Sequence, residues 1–160
     1  MSARPPLVLN AGRVQQLQSS DYLSGSFPEL QTFTNDNAGT IVIGSPVYVK
    51  SNGHVDLAKA NASGTTRVCG LVFDAAGIAT TVAGNVIIDG TMTATTGQWD
   101  AVAGTSGGLT PGTIYYLSAA TPGVLTSTAP SAATQFVMAV GIALSSTQME
   151  LLISEQIISL

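Results

Sequence analysis

The sequence predicts an all-β body: a small antiparallel β-barrel or sandwich built from two pseudo-repeats, preceded by an extended N-terminal arm. Three observations carry this. From Thr40 onward, short runs of β-branched residues alternate with Gly, Asn, Pro and Ser, which punctuate strands and turns. No stretch holds the sustained 3.6-residue apolar period of an amphipathic helix. The two halves of the body also resemble one another. A chain of 160 residues fits one compact domain plus an arm, divided here into an arm over 1–39 and a body over 40–160.

Within the arm, Leu7-Val8-Leu9 and Arg13-Val14-Gln15 flank Asn10-Ala11-Gly12, a pattern that predicts a small hairpin. A Gln/Ser stretch from Gln15 to Ser20 follows, and Asn35-Asp36-Asn37-Ala38-Gly39 closes the segment. Large apolar residues are too few here for independent folding, so the arm is expected to be mobile or laid against another surface.

In the body, Val47-Tyr48-Val49-Lys50 and His54-Val55-Asp56-Leu57 flank Ser51-Asn52-Gly53, where Asn-Gly supplies the left-handed positions of a hairpin turn. Further strands are predicted at 67–75, 78–82, 85–89, 91–95, 113–118, 123–127, 136–144 and 149–154. Turns are predicted at Ala83-Gly84, Asp89-Gly90 and Thr121-Pro122-Gly123. The internal repeat aligns Gly44-Ser45-Pro46-Val47-Tyr48-Val49 with Gly112-Thr113-Ile114-Tyr115-Tyr116-Leu117, and Cys69-Gly70-Leu71-Val72-Phe73 with Val140-Gly141-Ile142-Ala143-Leu144. The offset is 68 residues from Tyr48 to Tyr116 and 71 from Gly70 to Gly141, so turn length absorbs the drift. Each copy is a hairpin followed by a strand that opens on Gly, and two such units are expected to bury their apolar faces on one another.

Composition bears on the surface. Charged residues are 9% of the chain, with Lys+Arg 5, Asp+Glu 9 and net charge -4, against roughly 25% in an ordinary soluble domain. A folded monomer of this size would carry about one charge per 500 Å². Nearly half the chain is Ala, Gly, Ser or Thr. A neutral coat of this kind repels neighbours weakly and loses little charge solvation on burial, which suits a subunit covered by other subunits. The bland alternative is a stable monomeric β domain with a Thr/Ser-rich exterior. Five scattered basic residues, Arg4, Arg13, Lys50, Lys59 and Arg67, give no footprint for a nucleic-acid backbone. The longest nearly unbroken apolar run, Phe136 to Leu144, is about half of what spans a membrane, and Leu7-Val8-Leu9 is far short of a secretion signal.

The inventory for chemistry is thin. Cys69 has no second cysteine for a disulfide or a thiolate metal site and reads as a small buried hydrophobe. His54 is the only histidine; it follows a hairpin turn with Asp56 two residues on, which reads as a solvated turn flank rather than part of a triad. The nine carboxylates stand singly, without metal-ligand spacing. Gly104-Thr105-Ser106-Gly107-Gly108 lacks the Lys and the following helix of a phosphate cradle and reads as a loop. Trp99 reads as a core or trimer-contact anchor. No catalytic residue, cofactor, metal or small-molecule substrate is expected.

Several segments carry a family resemblance. Gly44-Ser45-Pro46-Val47-Tyr48-Val49, Cys69-Gly70-Leu71-Val72-Phe73-Asp74-Ala75-Ala76 and the stretch from Thr80 through Gly84-Asn85-Val86-Ile87-Ile88-Asp89-Gly90-Thr91 to Met92 resemble the head-decoration (cement) proteins of tailed bacteriophages. The second copy, Leu109 to Leu117 and Val140 to Leu144, also resembles phage virion proteins, fibre segments among them. The arm around Pro6-Leu7-Val8-Leu9 and Gln15-Gln16-Leu17 is similar to openings of tail-fibre modules.

The resemblance implies a non-enzymatic structural protein on the exterior of the virion capsid, a homotrimer that bridges major capsid subunits. In that role the arm is expected to order on docking and to contact the capsid through Leu7, Val8, Leu9, Val14 and Leu17. Two alternatives stand beside it. One is a tail-fibre or baseplate module that presents loops to a host receptor. The other is a carbohydrate-binding β domain using Trp99, Tyr115 and Tyr116 as stacking platforms, although it lacks a paired-carboxylate site.

Overall fold

The computed structural model describes residues 28–153, together with the backbone pairings of the strands Leu7–Asn10, Arg13–Gln16 and Ile158–Ser159. The first two of these, β1 (Leu7–Asn10) and β2 (Arg13–Gln16), pair antiparallel with Leu7 opposite Gln16 and Asn10 opposite Arg13. The antiparallel pairing predicted in the arm is therefore present.

Two five-stranded antiparallel sheets follow. The first contains β3 (Glu29–Thr34), β4 (Pro46–Val49), β5 (Val55–Leu57), β6 (Gly70–Val72) and β7 (Ala83–Asp89), in the order β3-β7-β6-β4-β5. The second contains β8 (Thr91–Thr93), then, past a helix α1 (Thr96–Ala103), β9 (Ile114–Leu117), β10 (Leu125–Thr126), β12 (Ala139–Ala143) and β13 (Gln148–Leu151), in the order β10-β9-β12-β13-β8. The short β11 (Phe136–Val137) lies outside both sheets and pairs with β14 (Ile158–Ser159). The two sheets are separate, so the sandwich form of the expectation holds and the closed barrel does not.

The internal repeat is the organising rule of both sheets. In each, the first strand of the unit pairs with the last, the second and third form a hairpin, and the fourth lies between the second and the last. Registers agree residue by residue: Pro46 opposite Leu71 matches Ile114 opposite Ile142, and Leu71 opposite Ile87 matches Ile142 opposite Glu150. Loop hydrogen bonds agree as well. Gly44 N–H donates to Val72 O at 2.8 Å and Gly112 N–H to Ala143 O at 2.8 Å, with φ of 81° and 78° at the two glycines. Both positions need left-handed backbone, which explains Gly in each copy. Gly70 and Gly141 are fixed differently, since a Cβ at either would overlap the carbonyl oxygen of the adjacent strand, Ile87 in one case and Glu150 in the other.

Four details differ from the sequence expectation. Glu29–Thr34, assigned to the arm, is hydrogen-bonded along β7 as the edge strand of the first sheet; its polar alternation reads as arm because most of its side chains face water. The predicted strand at 78–82 reduces to a single bridge between Ile78 and Ile41, after which Thr81 at φ 62° turns the chain. Ala83-Gly84 begins β7 instead of making a turn. The predicted strand 136–144 breaks at Met138, with β11 and β12 serving different sheets.

The helix is the element that periodicity misses. It spans eight residues and buries only Trp99 and Val102, too short a pattern to register as an apolar stripe. Its ends are nonetheless written in the sequence: Thr95 and Gln98 form a capping box, and Gly104 closes the helix in the left-handed region at φ 61°.

Packing is layered. One face of the first sheet carries Val47, Val55, Val72 and Val86, buried beneath a strap in which Ile41 and Ile78 are also buried. Its other face carries Leu71 and Ile87, which share a core with Trp99 and Val102 of α1 and with Tyr115, Leu117, Val140 and Met149 of the second sheet. Full burial of each large aliphatic side chain is worth about 1.5–3 kcal/mol, so this shared core joins the two units into one body. Asn35 latches the strap: fully buried, it donates from Nδ2 to Gly39 O at 2.9 Å and Ile78 O at 2.7 Å and accepts from Asn37 N–H at 2.7 Å.

Candidate docking surfaces

The capsid-contact residues expected in the arm divide in two. Leu7, Val8 and Leu9 lie on β1 and Val14 on β2; their side chains, and Leu17 altogether, fall outside the described residues.

Trp99 is placed, and its expected role at a trimer contact is corrected. It is 0% exposed within its own chain, and its indole Nε1 donates to Thr147 O at 3.1 Å. The capped helix turns this side chain inward, where it can touch neither a second copy nor a ligand. Tyr115 is likewise in the core, its hydroxyl accepting from Thr110 N–H at 3.0 Å. Only Tyr116 of the three aromatic residues considered as stacking platforms reaches the surface, half-buried on the outer face of the second sheet.

The polar groups near His54 are consumed locally. Lys50 Nζ lies 2.6 Å from Asp36 and 3.7 Å from Asp56, and His54 Nδ1 is 3.6 Å from Asp36. Asn37 Nδ2 donates to Asp56 at 2.8 Å. The Lys50 hydrogen bond holds the Asp36 carboxyl below its usual range, and the same bond raises the Lys50 ammonium. This cluster pins the β4–β5 turn to the start of the strap. Cys69 is partly buried, and that burial pushes its thiol up to about 11, so it stays protonated and weakly nucleophilic at neutral pH. The loop Gly104 to Gly108 wraps a carboxylate of its own chain: Asp100 accepts from Gly108 N–H at 2.8 Å, Thr105 Oγ1 at 2.9 Å and Gly107 N–H at 3.1 Å. Among the described residues no three His, Cys, Asp or Glu side chains converge as a metal site, and no helix is long and apolar enough to cross a membrane.

The described surface carries apolar patches. On the second sheet, Ile114, Ile142, Glu150 and Thr91 form one row across four strands, with Glu150 accepting from the Thr91 hydroxyl. Around that row Leu144 is 53% exposed, Leu152 45% and Ile114 40%. Elsewhere Val42 is 46% exposed beside Gly97, Gln98 and Ala101 of α1, and Val82, in the turn into β7, is 50% exposed. Between the β3/β7 edge and β8 runs an open, mainly apolar groove of about 660 Å³ lined by Leu30, Ile43, Phe73, Thr93, Ala94 and Gln98. The sequence signal for these surfaces is the charge deficit, which indicates that apolar faces exist without saying where. Compared with known proteins, the chain matches no family model and no curated protein.

Proposed function

We propose that this protein is a non-enzymatic decoration subunit of a phage virion, which trimerises on the capsid exterior and stabilises the head by bridging major capsid subunits. The observation that supports this most is a β body with 9% charged residues that leaves large aliphatic side chains exposed among the described residues, Ile114, Leu144 and Leu152 on the second sheet and Val42 and Val82 elsewhere. Such a body works by burying area. A specific interface buries about 1,600 Å² in total, and three symmetry-related contacts raise a modest affinity per site through effective concentration. The N-terminal arm, carrying Leu7, Val8, Leu9, Val14 and Leu17, supplies the capsid contact in this reading. Deleting residues 2–20 is expected to abolish co-sedimentation with capsids while trimers persist; a truncated protein retained on capsids as well as the full chain would remove the arm from the account.

A tail-fibre or baseplate module is the second reading, favoured by the resemblance of the opening residues to fibre modules. Antibody labelling of particles separates the two, with many copies over the head in the first case and few at the tail in the second. The carbohydrate-platform reading is withdrawn, because Trp99 and Tyr115 are in the core.

A further inference from the structure

The tip of the β4–β5 hairpin joins an asparagine to a glycine in open surroundings. Asn52 is the only asparagine of the chain followed by glycine. Both residues are exposed, and Gly53 holds left-handed backbone at φ 81°. His54 N–H donates to Asn52 Oδ1 at 3.0 Å, which makes an Asx turn. The ring closed by this bond runs through the amide carbon Cγ of Asn52 and the backbone nitrogen of Gly53. Among the described residues, no atom beyond the chain neighbours lies within 4 Å of the place a Gly53 β-carbon would take.

We propose that Asn52-Gly53 is a site of spontaneous modification, at which the chain deamidates itself through a cyclic imide. The Gly53 nitrogen, losing its proton to water, bonds to Asn52 Cγ, and the side-chain nitrogen leaves as ammonia. Water then opens the imide at either carbonyl, leaving aspartate or isoaspartate at position 52. No reactant besides water enters. The His54 amide is aimed at the oxygen on which charge develops as the new bond forms. One bond must open first, from Gly53 N–H to Lys50 O at 2.9 Å, and an exposed hairpin tip is where local opening costs least.

Asn37 supplies the comparison within the same molecule. Its Oδ1 accepts from Gly39 N–H at 2.9 Å in the same kind of turn. The residue between them is Ala38, whose β-carbon crowds the attacking nitrogen, and Asn37 Nδ2 is held by Asp56 at 2.8 Å. The contact from Asn52 Nδ2 to Asp36 is longer, 3.4 Å. Conversion at position 52 removes that donor and sets a new carboxylate against Asp36, which already draws Lys50 at 2.6 Å and His54 at 3.6 Å. The product therefore loosens the turn from the strap, and the change is one-way.

The test incubates the folded full-length protein in heavy-oxygen water at neutral pH and maps its peptides by mass spectrometry. Trypsin, cutting after Lys50 and Lys59, separates Asn52 from Asn37. Solvent oxygen is expected in the peptide carrying residue 52, split between aspartate and isoaspartate, with Asn37 unreacted. An intact Asn52 in the folded protein, alongside reaction in the urea-unfolded chain, would overturn the inference, and so would aspartate without isoaspartate, which marks direct hydrolysis. Gly53→Ala is expected to slow the reaction by an order of magnitude and Asn52→Gln to remove the product, each with unchanged circular dichroism; a folded Gly53→Ala chain that reacts as fast as the unaltered one overturns it. Hydrogen exchange reads the consequence. The amide of Asp36, which donates to Val55 O at 2.9 Å, is expected to exchange faster in the converted protein, and unchanged protection would overturn the loosening.

Discussion

Asp100 shows how much one side chain can settle in a body with so few charges. It receives two backbone amides and a hydroxyl from the loop 105–108, and the Gly108 amide in particular holds its carboxyl below the ordinary value of 3.8. A carboxylate depressed in the folded state contributes stability that is present above its unfolded value and is lost as the pH falls through the folded one. The loop is therefore expected to loosen only in acid, below about pH 4. An NMR titration of the Asp100 carboxyl should give a midpoint under 3.8, and Asp100→Asn should remove that acid step from the stability profile. A midpoint at or above the ordinary value would contradict the assignment. Lys50 has the opposite sign: raised by Asp36 above 10.5, it contributes up to that pH and is lost in stronger base. None of these partners was legible from spacing, because Asp100 looks like an isolated acid beside a glycine-rich loop until the helix end brings the two together.

At the scale of elements, the strap over the first sheet depends on one buried amide. Asn35→Ala would take away the partner of the Asn37 amide and of the Gly39 carbonyl and leave the Ile78 carbonyl with its bond from Ile41 N–H alone, and each lost bond that orphans a buried group costs about 1–3 kcal/mol. A loss of about 2–4 kcal/mol in chemical denaturation is the expected result; a loss under about 0.5 kcal/mol would show that the strap is held by Ile41 and Ile78 alone. The sequence marked the turn at Asn35-Asp36-Asn37 but read it as the end of an arm. Its real place follows from a non-local pairing, Ile41 with Ile78, that no local pattern encodes. Hairpins were the legible elements, since Asn52-Gly53 and Pro122-Gly123 specify their turns within a few residues. The helix was legible only at its ends, in Thr95, Gln98 and Gly104.

For the whole molecule, the repeat was readable from glycine and tyrosine spacing, and the structure extends it from two matched segments to two sheets of identical strand order. The sequence could not say that the sheets use opposite faces: Val47 and Val72 turn toward the strap, whereas their counterparts Tyr115 and Ala143 turn into the shared core. That asymmetry leaves the outer face of the second sheet uncovered among the described residues. The charge deficit and the open face together support a chain that is covered by copies of itself and by a larger shell. The most direct test is the native mass of the purified full-length protein at neutral pH and micromolar concentration. A species of three chains is expected; a stable single chain of 16.2 kDa with no affinity for capsids would contradict the account.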